Sequence, residues 1–335
     1  MWVKNNSINK LASQGLLLLE DFNFINPPSN KGKMSLKGKT VFLTNFNKGN
    51  ISIKQRRYFN SNKSQEKNNL LKENKLASIV TKTAPENPML LINTFVNLED
   101  LIEILNLFNL DKAWHKQRIN LPFLPELNQL GDYFQGDVMV HIDGVQDILK
   151  TRQTPDLDDE GNDIMVTKEI IEKNIELSLG LLVKDSIKFN FMLNLLGSTL
   201  PKTDGFFNYN DEVYFSTKEN NFFITSTRKG VKYLNEMNGG LSLELDSVVT
   251  NYKSVYYVNV ADIIKQIQIL NPQSFRGLDN LKNILFFENA TTKEGVVEGE
   301  TIINFKNQEN SFVSTLRLVS GLVLTFNPSS SIGIE

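Results

Sequence analysis

The stretch VYYVNVADIIKQIQIL (Val255–Leu270) begins as a strand and within four residues becomes a helix. The same switch occurs in LLINTFVNLEDLIEIL (Leu90–Leu105). In both, an Asn follows the strand and an Asp lies three residues later: Asn97 with Asp100, and Asn259 with Asp262. An Asn side chain accepts from the unpaired N–H groups of a first helical turn, and an early carboxylate complements the positive helix end. Apolar residues then recur at helical spacing, as at Leu98, Leu101, Ile102, Leu105 and Phe108, and at Ile263, Ile264, Ile267 and Leu270. Each helix therefore has one face to bury.

Looser versions of the unit occur three more times. Alternation through Ile175, Leu177, Leu179, Leu181 and Val183 leads to a cap at Asp185, and Gly197 ends the helix that follows. Caps are also expected near Ser226 or Thr227, and near Asn310. Irregular spacing argues against a solenoid, whose stacked units need a nearly fixed period.

Hairpins precede several units. Thr40–Thr44 and Asn50–Phe59 flank a turn rich in Asn, Lys and Gly, with Ile51 and Ile53 on one face and Ser52, Lys54 and Arg56 on the other. Val213–Thr225 across TKENN and Ile284–Phe305 across ATTKEG read the same way. The fold class is α+β: mainly antiparallel sheets from hairpins and strand-to-helix units, with helices on one face. The expected organisation is an N-terminal segment (1–37), a first α+β unit (38–150), an acidic loop or linker (151–172), a second α+β unit (173–320) and a tail (321–335).

The chain of 335 residues, 40% apolar with 22 Phe, can bury a substantial core. Its net charge of -2 hides an asymmetry, because residues 1–75 carry 14 Lys or Arg against 4 Asp or Glu, and the remainder 22 against 34. The favoured reading is a basic region resting on the acidic body of its own chain. With no Cys, thiolate chemistry and disulfides are excluded. The run GLLLLEDF is too short for a signal or a membrane span, and no longer apolar run exists.

Candidate chemistry is sparse. Asp156, Asp158, Glu160 and Gly161 partly match a calcium loop, but Thr167 stands where a bidentate Glu is needed, so a solvated acidic loop is expected. His141 lies in DVMVHIDGV, where Met139, His141 and Asp143 share one side of a strand opposite Val138, Val140 and Ile142. A carboxylate beside His can orient a general base. The preferred reading is the polar, solvent-facing side of a strand, since no nucleophile motif is present. His115 in DKAWHKQR reads as surface. Lys54, Arg56 and Arg57 with Tyr58 and Phe59 lack the spacing that stacks bases. Phosphate loops are absent: GKTVF lacks the upstream glycine, and the glycines of NGGLS follow a helix.

Taken in order, TNFNKGNISIKQRRYF, APENPMLLINTFVNLEDLIEIL, LGDYFQGDVMVHIDG and LSLGLLVKDSIKFNFMLNLL resemble the uncharacterised Bacteroidetes lipoprotein family labelled domain of unknown function 4836. QENSFVSTLRL echoes the family's Asn-Ser-Leu helix start, with Phe312 in place of Leu. The likeness runs from about Gly38 to Val319. It implies a protein of the cell envelope, on the periplasmic side or the surface, lipid-anchored at a Cys outside this chain. It brings no activity, cofactor, metal or catalytic residue, and none is assigned. The expected function is a non-enzymatic binding or scaffolding module for a protein, glycan or lipid partner, with nucleic acid disfavoured. The alternative is a hydrolase using His141 with Asp143.

Overall fold

The computed structural model describes residues 2–4, 39–58, 76–96, 126, 129–157, 163–209, 212–237, 239–270, 278–289 and 296–326. Its strands are β1 (Trp2–Lys4), β2 (Lys39–Phe46), β3 (Asn50–Tyr58), β4 (Leu90–Phe95), β5 (Phe134–Leu157), β6 (Asp163–Val183), β7 (Lys202–Thr203), β8 (Phe206–Tyr209), β9 (Val213–Lys218), β10 (Asn221–Thr225), β11 (Ser254–Val258), β12 (Leu281–Glu288) and β13 (Val296–Phe305). The helices are α1 (Ala77–Thr83), α2 (Leu130–Tyr133), α3 (Ser186–Leu196), α4 (Arg228–Glu236), α5 (Leu243–Asn251), α6 (Val260–Leu270) and α7 (Ser311–Phe326). No described helix is long and apolar enough to cross a membrane.

All the strands join one antiparallel sheet in the order β1-β2-β3-β13-β12-β11-β4-β5-β6-β10-β9-β8-β7. Strands from the end of the chain are inserted between β3 and β4, so the two expected units are interleaved in a single sheet. The acidic linker expected at 151–172 is another correction. Thr151–Leu157 continues β5 and Asp163 onward forms β6, in register from Gly144 opposite Glu176 to Leu157 opposite Asp163. The alternation of Ile164, Val166 and Ile170 with polar neighbours is strand-like, but the run of acidic residues beside it in the sequence obscures it.

Four strand-to-helix junctions fall where the caps place them. Asp185 accepts from the Lys188 N–H at 3.0 Å, Thr227 from Gly230 at 3.0 Å, Asn259 from Asp262 at 3.2 Å and Asn310 from Phe312 at 2.9 Å. The fifth, after Val96, lies outside the described residues. The β9–β10 hairpin closes through Glu219 and Asn220, both with positive φ, as a two-residue turn matched to strand twist requires.

Adjacent residues of a strand point to opposite faces, so β10 reports what covers each. Phe223 joins a core with Leu76 and Val80 beside α1, Val231 and Leu234 of α4, and Leu245 and Val249 of α5. Its neighbour Phe222 joins Phe189 and Leu193 of α3 on the other side. Ile284, Val258, Leu90, Ile142 and Leu177 lie in cross-strand register on this second face, and Ile284, Val260 of α6 and Leu318 of α7 all pack against a cluster of Ile51, Leu281 and Phe305. Helices therefore cover both faces, not one. The sequence reading misses α1 and α5, which close the first face. Leu241, Leu245 and Val249 at four-residue spacing are the available signal for α5.

The close approach of α4 to the sheet explains Gly230. A Cβ there would come within 1.9 Å of Thr225 Oγ1 and 3.2 Å of Ser178 Oγ.

Candidate functional site

His141 is wholly buried, correcting the expected solvent-facing side, and its neighbours Met139 and Asp137 are buried with it. The reason is its position: β5 lies between β4 and β6, with His141 opposite Leu91 and Ser178, on the face that α4 closes. Its Nδ1 lies 2.6 Å from Asp143 Oδ1, and the Asp143 side chain is itself only 4% exposed. An irregularity in the β5–β6 register between Ile142 and Gly144 accompanies that approach. The Nε2 atom has no hydrogen-bond partner among the described residues.

A hydrolase needs a nucleophile or a second carboxylate bonded to this histidine in a space that substrate can enter. The cross-strand serine, Ser178, donates instead to Thr225 Oγ1 at 3.1 Å. Nearby, Lys229 bonds Glu176 at 2.9 Å. Burial pulls the Lys229 ammonium down, but the bond to Glu176 and the charges of Glu176 and Asp143 outweigh it and leave the group raised. What results is a buried His141–Asp143 pair between β5, β6 and α4, with the half-exposed Lys229 bonded to Glu176 beside it.

The basic residues of β3 meet carboxylates from late in the chain. Arg56 pairs with Glu298, Arg57 with Glu288, and Lys54 stands opposite Glu300 in the β3–β13 register. Bonds to Tyr58 and Glu298 hold the Arg56 guanidinium above its ordinary value. On β3 this is the self-complementary arrangement expected from the charge partition; most of the basic region, residues 5–38 and 59–75, lies outside the described residues. Over these strands lies an open groove of about 540 Å³, lined by Leu43, Lys54, Arg56, Tyr58, Tyr252 and Glu300 among others. Its charged walls largely neutralise each other.

Asp156, from the calcium-like stretch, is bonded by Lys168 at 2.8 Å; Asp158, Glu160 and Gly161 lie outside the described residues, as does His115. Among the described residues no group of three or more His, Asp or Glu is placed to hold a metal.

Clustered exposed apolar side chains lie elsewhere. On α3, Phe189 and Leu193 enter the core, whereas Ile187, Phe191 and Leu195 are 84%, 71% and 63% exposed. Spaced four residues apart, they form one outward stripe. On the same face of the sheet, Phe46 and Phe312 meet edge to face at 5.4 Å while both remain exposed, beside exposed Val313 and Leu316. Helical spacing in the sequence runs through Ile187, Phe191 and Leu195, and through Phe312, Val313 and Leu316, as rows expected to be buried; the structure leaves both outside the core. Helical spacing identifies the stripes, but on α3 an apolar row exists on each side, and spacing alone does not say which one the sheet takes.

Comparison with known protein families, curated proteins and solved structures finds no match.

Proposed function

We propose that the chain is a non-enzymatic binding or scaffolding protein of the cell envelope, holding a macromolecular partner against the outer face of α3. The observation that carries this reading is the row Ile187, Phe191 and Leu195, three large apolar side chains left in water by a helix that already has a well-filled inner face. Contiguous exposed apolar surface on a folded chain marks interaction sites. A helix face of this kind fits a groove or a second apolar helix, which makes a protein partner the better match than a small ligand. The placement in the envelope rests on the family resemblance. The hydrolase alternative draws no support from a histidine sealed in the core.

Replacing Ile187 and Phe191 together with Asp tests the reading. Both lie outside the core, so the melting temperature is expected to stay within a degree or so of the native chain, as surface changes normally allow. Retention of a partner from envelope extract by the immobilised chain is expected to fall below detection. A double variant that retains the same partner to the same extent would overturn the assignment of the site.

A further inference from the structure

Beyond Ile142 and Ser178, where β4 and β10 end their pairing, β5 and β6 continue as a two-stranded ribbon with no third strand among the described residues. From Gly144 to Leu157 it extends on the order of 45 Å at strand spacing. Isolated two-stranded ribbons are marginal in water, and their unpaired edges are templates for another strand. Among the described residues no strand lies along the edge of β6 away from β5 between Asp163 and Leu177.

The direction of the free backbone groups can be read at the base of the ribbon. Leu177 N–H donates to Ser226 Oγ at 2.9 Å, Leu177 C=O accepts from Ser226 N–H at 3.0 Å, and Ile175 C=O accepts from Ser226 Oγ at 2.5 Å. Odd-numbered residues of β6 thus aim their polar backbone away from β5. Alternation carries that orientation along the strand to Lys173, Ile171, Glu169 and Thr167.

The side chains of these residues share the exposed face. Ile171 is 68% exposed, Ile175 51% and, across the ribbon, Leu149 62%. Glu169 and Lys173 stand two residues either side of Ile171, with opposite charge. A twofold axis through Ile171 therefore sets Glu169 of each copy opposite Lys173 of the other, Ile171 against itself and Thr167 opposite Ile175. Opposite charges directly across a ladder are stabilising, and like charges are not. Lys173 already rests on Asp147, but its side chain is 41% exposed and an ammonium has three donors. The neighbouring register, centred on Ile170, would instead use Lys168 and Glu172, which are held by Asp156 and Lys150 within the ribbon.

We propose that β6 pairs antiparallel with β6 of a second copy of this chain, centred on Ile171, so that two ribbons join into a four-stranded bridge between two molecules. This surface is separate from the α3 stripe and stands or falls independently of it. The side chains and backbone involved place the interface at the small end of specific contacts, so dimerisation in the micromolar range is expected.

Sedimentation of the full chain over a concentration series tests this. The native chain should pass from monomer to dimer. Glu169→Lys and Lys173→Glu should each weaken the dimer by roughly tenfold, since each turns two attractive cross-strand pairs into repulsive ones. Mixing those two variants should restore association as a heterodimer, because one chain then presents two cations along this edge and the other two carboxylates, each cation facing a carboxylate. Ile171→Pro removes an N–H that faces away from β5, so it should leave the chain folded and monomeric. A native chain that stays monomeric throughout the micromolar range, or a mixture no tighter than either charge variant alone, would overturn the proposal. A monomer that co-sediments with phosphatidylglycerol vesicles through the ribbon would also overturn it, in favour of a lipid surface.

Discussion

Phe222→Ala should destabilise the chain by about 3–5 kcal/mol, the cost of truncating a buried aromatic that leaves a cavity. Phe222 lies 5.1 Å from the ring of Phe189, 6.1 Å from Phe134 and 6.5 Å from Phe215. These rings tie the start of β5, β10 and α3 into one cluster. Aromatic pairs at such separations contribute beyond the area they bury. Denaturant melts check the value. Phe191→Ala on α3 is the contrast: its ring points outward, and the change should stay within about 0.5 kcal/mol. If the two substitutions cost the same, the inner and outer faces of α3 have been assigned wrongly.

Asp143→Val should cost about 2–3 kcal/mol, because it leaves the buried His141 Nδ1 without its partner. Replacing both residues with apolar ones, as in His141→Leu with Asp143→Val, removes the polar pair together and should recover much of that loss. Such a cycle gives a coupling between the two positions that a solvent-facing pair would not show. Equal destabilisation in the single and double variants would contradict an energetic coupling between His141 and Asp143 inside the sheet.

Both expected results depend on information that the sequence carries unevenly. Caps at Asp185, Thr227, Asn259 and Asn310 are legible because a cap is local: one side chain meets an N–H two or three residues on. Hairpins are legible for the same reason, through Glu219 and Asn220 and the alternation around them. What alternation cannot report is the number of neighbours a strand acquires. DVMVHIDGV reads as half polar, yet β5 lies between β4 and β6 with α4 over it, and Asp143 partners His141 Nδ1 there. The long ribbon is hidden similarly, since charges at Asp147, Lys150, Lys168, Glu172 and Lys173 suggest a loop when they are cross-strand partners. Interleaving of β11, β12 and β13 between β3 and β4 is a long-range choice that no local pattern encodes.

The candidate site is half legible. Helical spacing marks α3 as apolar, but its outer row becomes a site only once Phe189 and Leu193 are seen to fill the core and Phe191 is seen to be left outside. Charge partition anticipates that Arg56 and Arg57 meet carboxylates from later in the chain, but not that β13 and β12 supply them.

The most direct test of a docking role for α3 is site-specific photo-crosslinking in envelope extract of the source organism, with a photoreactive side chain at Phe191. A control at Lys232, exposed on α4 on the opposite face of the sheet, carries the same group. A discrete cross-linked species at Phe191, absent at Lys232 and lost when Ile187 is replaced by Asp, is the predicted result. Equal and diffuse labelling at the two positions would contradict it.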